Sequence, residues 1–376
     1  MNKINMVDLK GQYEKISGEI NEAIQEVLST TSFINGPAVK NFQTNLEKYL
    51  EVKHVIPCAN GTDALQITMM ALGLKPGDEV ITTSFTFIAT AEVIALLGLT
   101  PVLVDIDPDT FNIDPEAVRK AITDKTKAIV PVHLFGQCAD MDALMEIAKE
   151  FDLKIIEDTC QAIGADYTFK NGKTQKAGSI GDFGCTSFFP SKNLGAYGDG
   201  GAIFTNDDEL ANQCRIIANH GMVTRYYHDL IGVNSRLDSI QAAILNVKLK
   251  YLNEYSKERN KAAQAYNEAF ANNPNLQTPV KFDRSTHVFH QYTLLTKNID
   301  RDALHEYMQS KGIPAPIYYP VPLHLQKAYK DPRYNEGDFP VTEEVCKRVL
   351  SLPMHTELDE EQIEFITSTL LEFVNK

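Results

Sequence analysis

The 376-residue sequence has no tryptophan, and its six cysteines (Cys58, Cys138, Cys160, Cys185, Cys214 and Cys346) form no CxxC pair. Nothing in their spacing frames a disulfide scaffold or a paired-cysteine zinc site. A long apolar run is also missing. Val93–Val104 comes nearest, but Gly98, Thr100 and Pro101 interrupt it, well short of the roughly 20 residues that span a bilayer. The opening residues MNKINMVDLKGQYEKISG lack the apolar stretch of a signal peptide. A reducing, cytoplasmic setting is expected, with no membrane partner. Positive charge is in short supply: 36 Lys and Arg face 50 Asp and Glu, a formal charge of -14. So acidic a surface disfavours nucleic acid as a partner, although a local basic pocket can still hold a small anion. No GxGxxG follows the first strand-like run, and GxxxxGK[ST], HExxH and an EF-hand loop are absent. Only His287 and His290 are closely spaced, within a strand pattern, so no metal site is expected.

What is present is enough apolar sequence, 43%, for a sizeable core. At roughly 150 residues per domain the chain holds about 2.5 domains' worth, and two are expected. Tyr13, Ile16, Ile20, Ile24 and Val27 recur at helical spacing over Gln12–Leu28. FINGP, residues 33–37, breaks that helix, and a second short one runs toward Leu50. Beyond about residue 55 the pattern alternates. Strand-like runs at Glu79–Thr83, Pro101–Asp105, Ala128–Val132, Lys154–Glu157, Cys185–Phe189 and Ala202–Thr205 are interleaved with helical patterns. The helical ones are Thr62–Leu72, Ala89–Leu97, Pro115–Ile122 and Met141–Phe151. This is an α/β layer with a largely parallel sheet, whose loops collect ligands at one edge. A long helix is expected from Leu237 through Tyr266, connecting to a smaller C-terminal part. That part has a strand at Val288–Thr296, a helix at Arg301–Lys311 and a last helix at Glu360–Val374 capped by Asp359.

The informative stretch is GCTSFFPSKNLGAYGDGG, residues 184–201, where Lys192 follows a strand-like run and a proline inside a glycine-rich turn. Read alone, Lys192 is an ordinary loop lysine. Three features add weight. Asp158 ends the run KIIEDTCQA; it reads as a helix N-cap or as the acid that keeps a pyridine nitrogen protonated, with Gln161 one turn on in reach of the same ring's phenolic oxygen. Asn60-Gly61-Thr62-Asp63 opens a helical run, and reads as a plain cap or as a phosphate cradle. Phe87, beyond VITTSFTF, is a core residue or a slab over a flat ring. Together the four make one coherent site for pyridoxal 5'-phosphate (PLP).

SFFPSKNLGAYGDGG, EDTCQAIGA, CANGTDALQ, TSFTFIATAE and GVNSRLDSIQAA resemble the nucleotide-sugar aminotransferases of the DegT/DnrJ/EryC1/StrS type, from VDLKGQY near the start to SLPMH near the end. The resemblance implies the fold-type I PLP-enzyme architecture. A large three-layer α/β/α domain with a mostly parallel mixed sheet (residues 1–250) would precede a smaller α+β C-terminal domain (251–376) that begins with the connector helix. It makes Lys192 the Schiff-base lysine, Asp158 the pyridine-nitrogen partner, Gln161 the contact to the ring hydroxyl and Phe87 the stacking residue. Gly61, Thr62 and Ser187 would hold the phosphate, and Asn234 would reach it from a neighbouring subunit. The active unit is then a homodimer, with residues 33–35 and 226–236 near the partner's substrate.

The implied reaction is ping-pong transfer of an amino group, with L-glutamate as donor and Lys192 moving the proton. The same blocks look closest to the branch that aminates C3 of UDP-2-acetamido-2-deoxy-3-oxo-D-glucuronate for surface polysaccharide. A dTDP-linked 3-oxo-6-deoxyhexose or a nucleotide-linked 4-oxo sugar is the alternative. Arg225, Tyr226, His228, Arg236, Tyr319 and His324 are candidates to line the sugar-nucleotide pocket; Arg236 suits a carboxylate or diphosphate, or a structural ion pair. Retention of Lys192 argues against the dehydratases of the family, which carry histidine there. A desulfurase would need a mobile cysteine, and Cys160 and Cys185 sit in strand-edge sequence.

Overall fold

A computed structural model describes residues 3–376. Along the chain come α1 (Leu9–Thr30), α2 (Pro37–Leu50), β1 (His54–Cys58), α3 (Gly61–Ala71), β2 (Glu79–Thr83), α4 (Ala89–Leu96) and β3 (Thr100–Val104). Next are α5 (Pro115–Ala121), β4 (Thr126–Val130), α6 (Met141–Phe151), β5 (Lys154–Asp158), the short hairpin β6 (Asp166–Thr168) and β7 (Thr174–Lys176), then β8 (Phe183–Ser187) and β9 (Gly201–Thr205). Then follow α7 (Asp208–Ala218), the hairpin β10 (Met222–Thr224) and β11 (Tyr227–His228), α8 (Ser239–Leu249), α9 (Leu252–Ala269), β12 (Leu276–Gln277) and β13 (Tyr292–Thr296). The chain finishes with α10 (Arg301–Ser310), α11 (Pro340–Arg348), β14 (Val349–Leu352) and α12 (Glu360–Val374).

Seven strands form one sheet in the order β1-β9-β8-β5-β4-β2-β3. From β3 to β8 the pairings are parallel, while β8–β9 and β9–β1 are antiparallel. Alternation along each strand sorts side chains to two faces. Val80, Ala128, Val130 and Ile156 pack with Leu65 of α3, Val93 of α4 and Ile217 of α7. Their neighbours Ile81, Ile129 and Ile155 pack with Val118 of α5 and Leu144 and Ile147 of α6. Both faces of the parallel strands are therefore covered, which is why these strands read as continuous apolar runs. A second sheet, β12-β13-β14, shares a core with Tyr266 of α9, Leu304 of α10, Leu370 of α12 and Ile4.

Several expected boundaries shift. β1 carried no strand signal because Pro57 interrupts it; the strand lies at the sheet edge, where proline is tolerated. The long helix expected from Leu237 is two helices, α8 and α9, separated at Lys250 and Tyr251. The strand expected from Val288 starts only at Tyr292, after Phe289 takes a φ of 43°. The final helix matches its expected bounds, and Asp359 forms a capping box with Gln362.

Candidate active site

β5 ends the site's framework. Glu157 and Asp158 are neighbours on an extended strand, so their side chains leave on opposite faces. Glu157 is fully buried and saturated: it accepts from the N–H groups of Gly178 (2.9 Å), Ile180 (2.7 Å) and Gly181 (2.7 Å), and lies 2.8 Å from Nε2 of His133. Asp158, 6% exposed, accepts from Thr90 Oγ1 at 2.9 Å and the Cys160 N–H at 3.1 Å. A carboxylate offers about four lone-pair positions, so Asp158 keeps capacity for another donor.

Lys192 is presented by the segment joining β8 to β9. The loop closes on itself through Lys192 N–H to Phe189 O (2.8 Å), Ala196 N–H to Phe188 O (2.8 Å) and Phe188 N–H to Gly200 O (2.7 Å). Gly195 crosses so near Pro190 that a Cβ would lie 2.2 Å from its carbonyl oxygen, which excludes any larger residue. Asn193 ties the loop to the C-terminal part by donating from Nδ2 to Val288 O at 2.9 Å. The Lys192 amine has no hydrogen-bond partner among the described residues. Burial pushes its ammonium below the usual lysine range, against Cys160 and Asp158, which favour the charge.

At the start of α3, the Asn60 side chain accepts from Asp63 N–H at 2.8 Å and the Asn60 carbonyl from Ala64 N–H at 3.1 Å. The Gly61 and Thr62 N–H groups have no protein acceptor among the described residues, as an anion cradle requires. A Cβ on Gly61 would come within 2.8 Å of Ser187 Cβ and 2.9 Å of Cys160 Sγ, so Ser187 walls the same cradle. Phe87 is 57% exposed, a free aromatic face, with the Tyr319 ring 6.5 Å away. Tyr319 accepts from Gln161 Nε2 at 3.1 Å, while Gln161 Oε1 takes the Phe135 N–H at 2.7 Å. Unpaired donors for a phosphate, an acid with spare acceptor sites, an unpartnered lysine amine and an open ring face are the donor set that PLP needs.

The remaining expected residues are carried by other segments of the chain. Arg225, Tyr226 and His228 are exposed on the β10–β11 hairpin; Arg225 stacks 5.0 Å over Tyr226, and His228 Nδ1 is 2.9 Å from His220 O. Arg236 bonds within its own chain, to Asn219 Oδ1 at 3.0 Å and to Asn234 Oδ1. His324 is turned inward. It is 3% exposed, 3.0 Å from Glu343 Oε1 and edge-on to Phe339. Thr90 escaped the sequence reading, because a threonine in the first turn of a helix carries no sign that it will meet an acid 68 residues away.

The family model described as the DegT/DnrJ/EryC1/StrS aminotransferase family matches residues 14–371. The chain belongs to that family. The family uses PLP, and this chain is a PLP-dependent sugar-nucleotide aminotransferase. It is 49% identical over 372 residues to the "pleiotropic regulatory protein" of Geobacillus stearothermophilus, covering 98% of each chain. With the UDP-2-acetamido-2-deoxy-3-oxo-D-glucuronate aminotransferase of Pseudomonas aeruginosa it shares 46% over 367 residues, 98% of this chain and 99% of the other. Transaminases named for dTDP-linked amino sugars are close as well. Among solved structures, S. venezuelae DesV in complex with a ketimine intermediate superimposes with a TM-score of 0.95 at 38% identity, covering 100% of both chains. Among the described residues no helix of the aminotransferase is long and apolar enough to cross a membrane, and no cluster of His, Cys, Asp or Glu suits a metal ion.

Proposed function

We propose that this aminotransferase moves an amino group from L-glutamate to C3 of UDP-2-acetamido-2-deoxy-3-oxo-D-glucuronate. The observation that carries the substrate is the 46% identity, over nearly the full length, to the P. aeruginosa enzyme of that name. Amination of a dTDP-linked 3-oxo-6-deoxyhexose is the second reading, favoured by the nearness of the dTDP-sugar transaminases; a nucleotide-linked 4-oxo sugar ranks below it.

When bound, PLP supplies the electron sink for charge developing at the donor's α-carbon. In this proposal Lys192 Nζ takes the proton from that carbon and returns it on the other side of the transfer, acting as base and then acid. The low-lying ammonium described above supports the first role, since a base must be free of its proton. Asp158 holds a proton at the pyridine nitrogen through its spare acceptor positions, and Thr90 and the Cys160 N–H fix its carboxylate plane. Gly61, Thr62 and Ser187 bind the phosphate, Gln161 meets the ring hydroxyl, and Phe87 covers the ring. Arg225, Tyr226, His228, Arg236 and Tyr319 are proposed to meet the sugar nucleotide.

We infer a homodimer in which Asn234 and the segments 33–35 and 226–236 serve the partner's site. The exposure of Phe33 (44%), Ile34 (56%), Tyr226 (77%) and Ile231 (89%) supports it, because so much apolar surface is unusual on a lone chain. The division at about residue 250 into a cofactor unit and a smaller unit is proposed on the same footing, supported by the separate core around β12-β13-β14. A cytoplasmic place in making a diamino-sugar acid for surface polysaccharide, such as lipopolysaccharide, completes the proposal.

The test offers PLP-loaded enzyme L-glutamate and a panel of UDP- and dTDP-linked 3-oxo and 4-oxo sugars. Amine appearing on C3 of the uronate, with poor use of neutral sugars, is the expected result. Preferential amination of a neutral 6-deoxyhexose overturns the substrate assignment.

A further inference from the structure

α8 carries a lysine that the transfer chemistry leaves unexplained. Lys248 is 1% exposed, and no carboxylate pairs with it among the described residues. Its Nζ donates to the Gly195 carbonyl at 2.6 Å and sits 5.3 Å above the Tyr197 ring. Gly195 and Tyr197 belong to the loop that presents Lys192. Gln241, two turns earlier on α8, grips the same stretch: its Oε1 accepts from Tyr197 N–H at 2.8 Å, and its Nε2 donates to Tyr197 O at 3.4 Å. A buried ammonium is unfavourable unless polar groups answer it. Here a carbonyl and a ring face do so, and both come from one short segment. A leucine or methionine would fill the space and remove the bond to Gly195, the residue at which the loop crosses Pro190.

We propose that Lys248 is a positioning residue for the transamination: its bond to Gly195 fixes the loop that sets where Lys192 Nζ can reach. The inference rests on Lys192 being the proton-transfer lysine. It adds that the reach of that lysine is held from a different helix.

Burial lowers the Lys248 ammonium to about 7, and the positive charge of Arg259 on α9 pushes the same way. Around the contact stand Tyr197 of the loop, with Tyr13 of α1 6.0 Å from its ring, and Tyr255 of α9; burial pushes the Tyr197 and Tyr255 phenols up, so neither supplies a negative charge near neutrality. The clasp is thus a charged donor below about 7 and a weaker neutral amine donor above it. The sign for stability is opposite. The folded value lies below the unfolded one, so the buried ammonium opposes folding fully below about 7, and that opposition fades as pH rises toward 10.5.

The test uses the full chain loaded with PLP, Lys248→Met, and Lys248→Gln as the variant that keeps an N–H donor. The half-reaction with L-glutamate is followed through the visible band of the bound cofactor. Lys248→Met is expected to slow the saturating rate about tenfold to a hundredfold. The half-saturating donor concentration stays within about twofold, and Lys248→Gln recovers most of the rate. A readout without turnover is the labelling of Lys192 by trinitrobenzenesulfonate in the apo protein, located by peptide mass spectrometry. At one fixed pH the labelling rate should change in Lys248→Met and return toward the wild-type rate in Lys248→Gln. A folded Lys248→Met protein with wild-type rate and labelling profile overturns the proposal. If that variant does not fold, Lys248→Ala takes its place, and a folded Lys248→Ala protein with wild-type rate and labelling overturns the proposal. Absence of any visible band that Lys192→Ala removes is a different outcome, and strikes at the Lys192 assignment itself.

Discussion

The cofactor cradle and the β10–β11 hairpin treat their polar and apolar groups in opposite ways. In the cradle almost every group is answered from within the chain: Glu157 by three N–H groups and His133, Asp158 by Thr90 and Cys160, the Lys192 loop by its own backbone. Among the described residues, the unanswered Lys192 amine and the first N–H groups of α3 meet around Cys160 and Ser187. The hairpin instead leaves Val223, Tyr226, Tyr227, Leu230 and Ile231 exposed, the last at 89%. Unanswered polar groups that converge point to a small charged ligand. Unanswered apolar groups that spread point to another surface.

Three variants test that contrast, in falling order of effect. Lys192→Ala should abolish transamination, a loss of at least about a thousandfold, while leaving the urea midpoint of unfolding near wild type; turnover assays with L-glutamate check it. Tyr226→Ala with Ile231→Ser should weaken self-association about tenfold or more without loosening the cradle. Sedimentation at several concentrations, beside the visible band of bound PLP, separates the two regions; a self-association constant that does not move would make the hairpin an ordinary exposed loop. Thr90→Val is the mildest. It removes one hydrogen bond to a buried carboxylate, worth about 1–3 kcal/mol, and should lower the rate modestly with little change in the KM for donor.

The same contrast explains what could be read from the sequence. The reading of Asp158 and Gly61 leaned on local pattern, the one at the end of a strand and the other at the start of a helix, whereas that of Lys192, in the loop between β8 and β9, leaned on the glycine-rich turn around it. The sheet was legible where both faces are covered, as along Val80–Ile81 and Ala128–Val130. β1 was hidden by Pro57, and the α8–α9 break by the lack of glycine or proline at Lys250 and Tyr251. The direction of His324 depends on Glu343, and the partner of Lys248 is a carbonyl 53 residues away. Such pairings are set by tertiary packing, which no local window contains.

The antiparallel return of β9 beside β8 has a consequence for how the site assembles. Ser187 pairs with Gly201, so the segment bearing Lys192 is closed by a hairpin and its ends meet at short sequence separation. The acid is placed differently: β5 is held by parallel neighbours that can join it only after long crossovers. Closing a short loop is fast and local, whereas parallel pairing is slow and must wait for distant chain. The lysine's arm is thus closed over a short stretch of chain, while the strand that carries the acid is paired only across long ones.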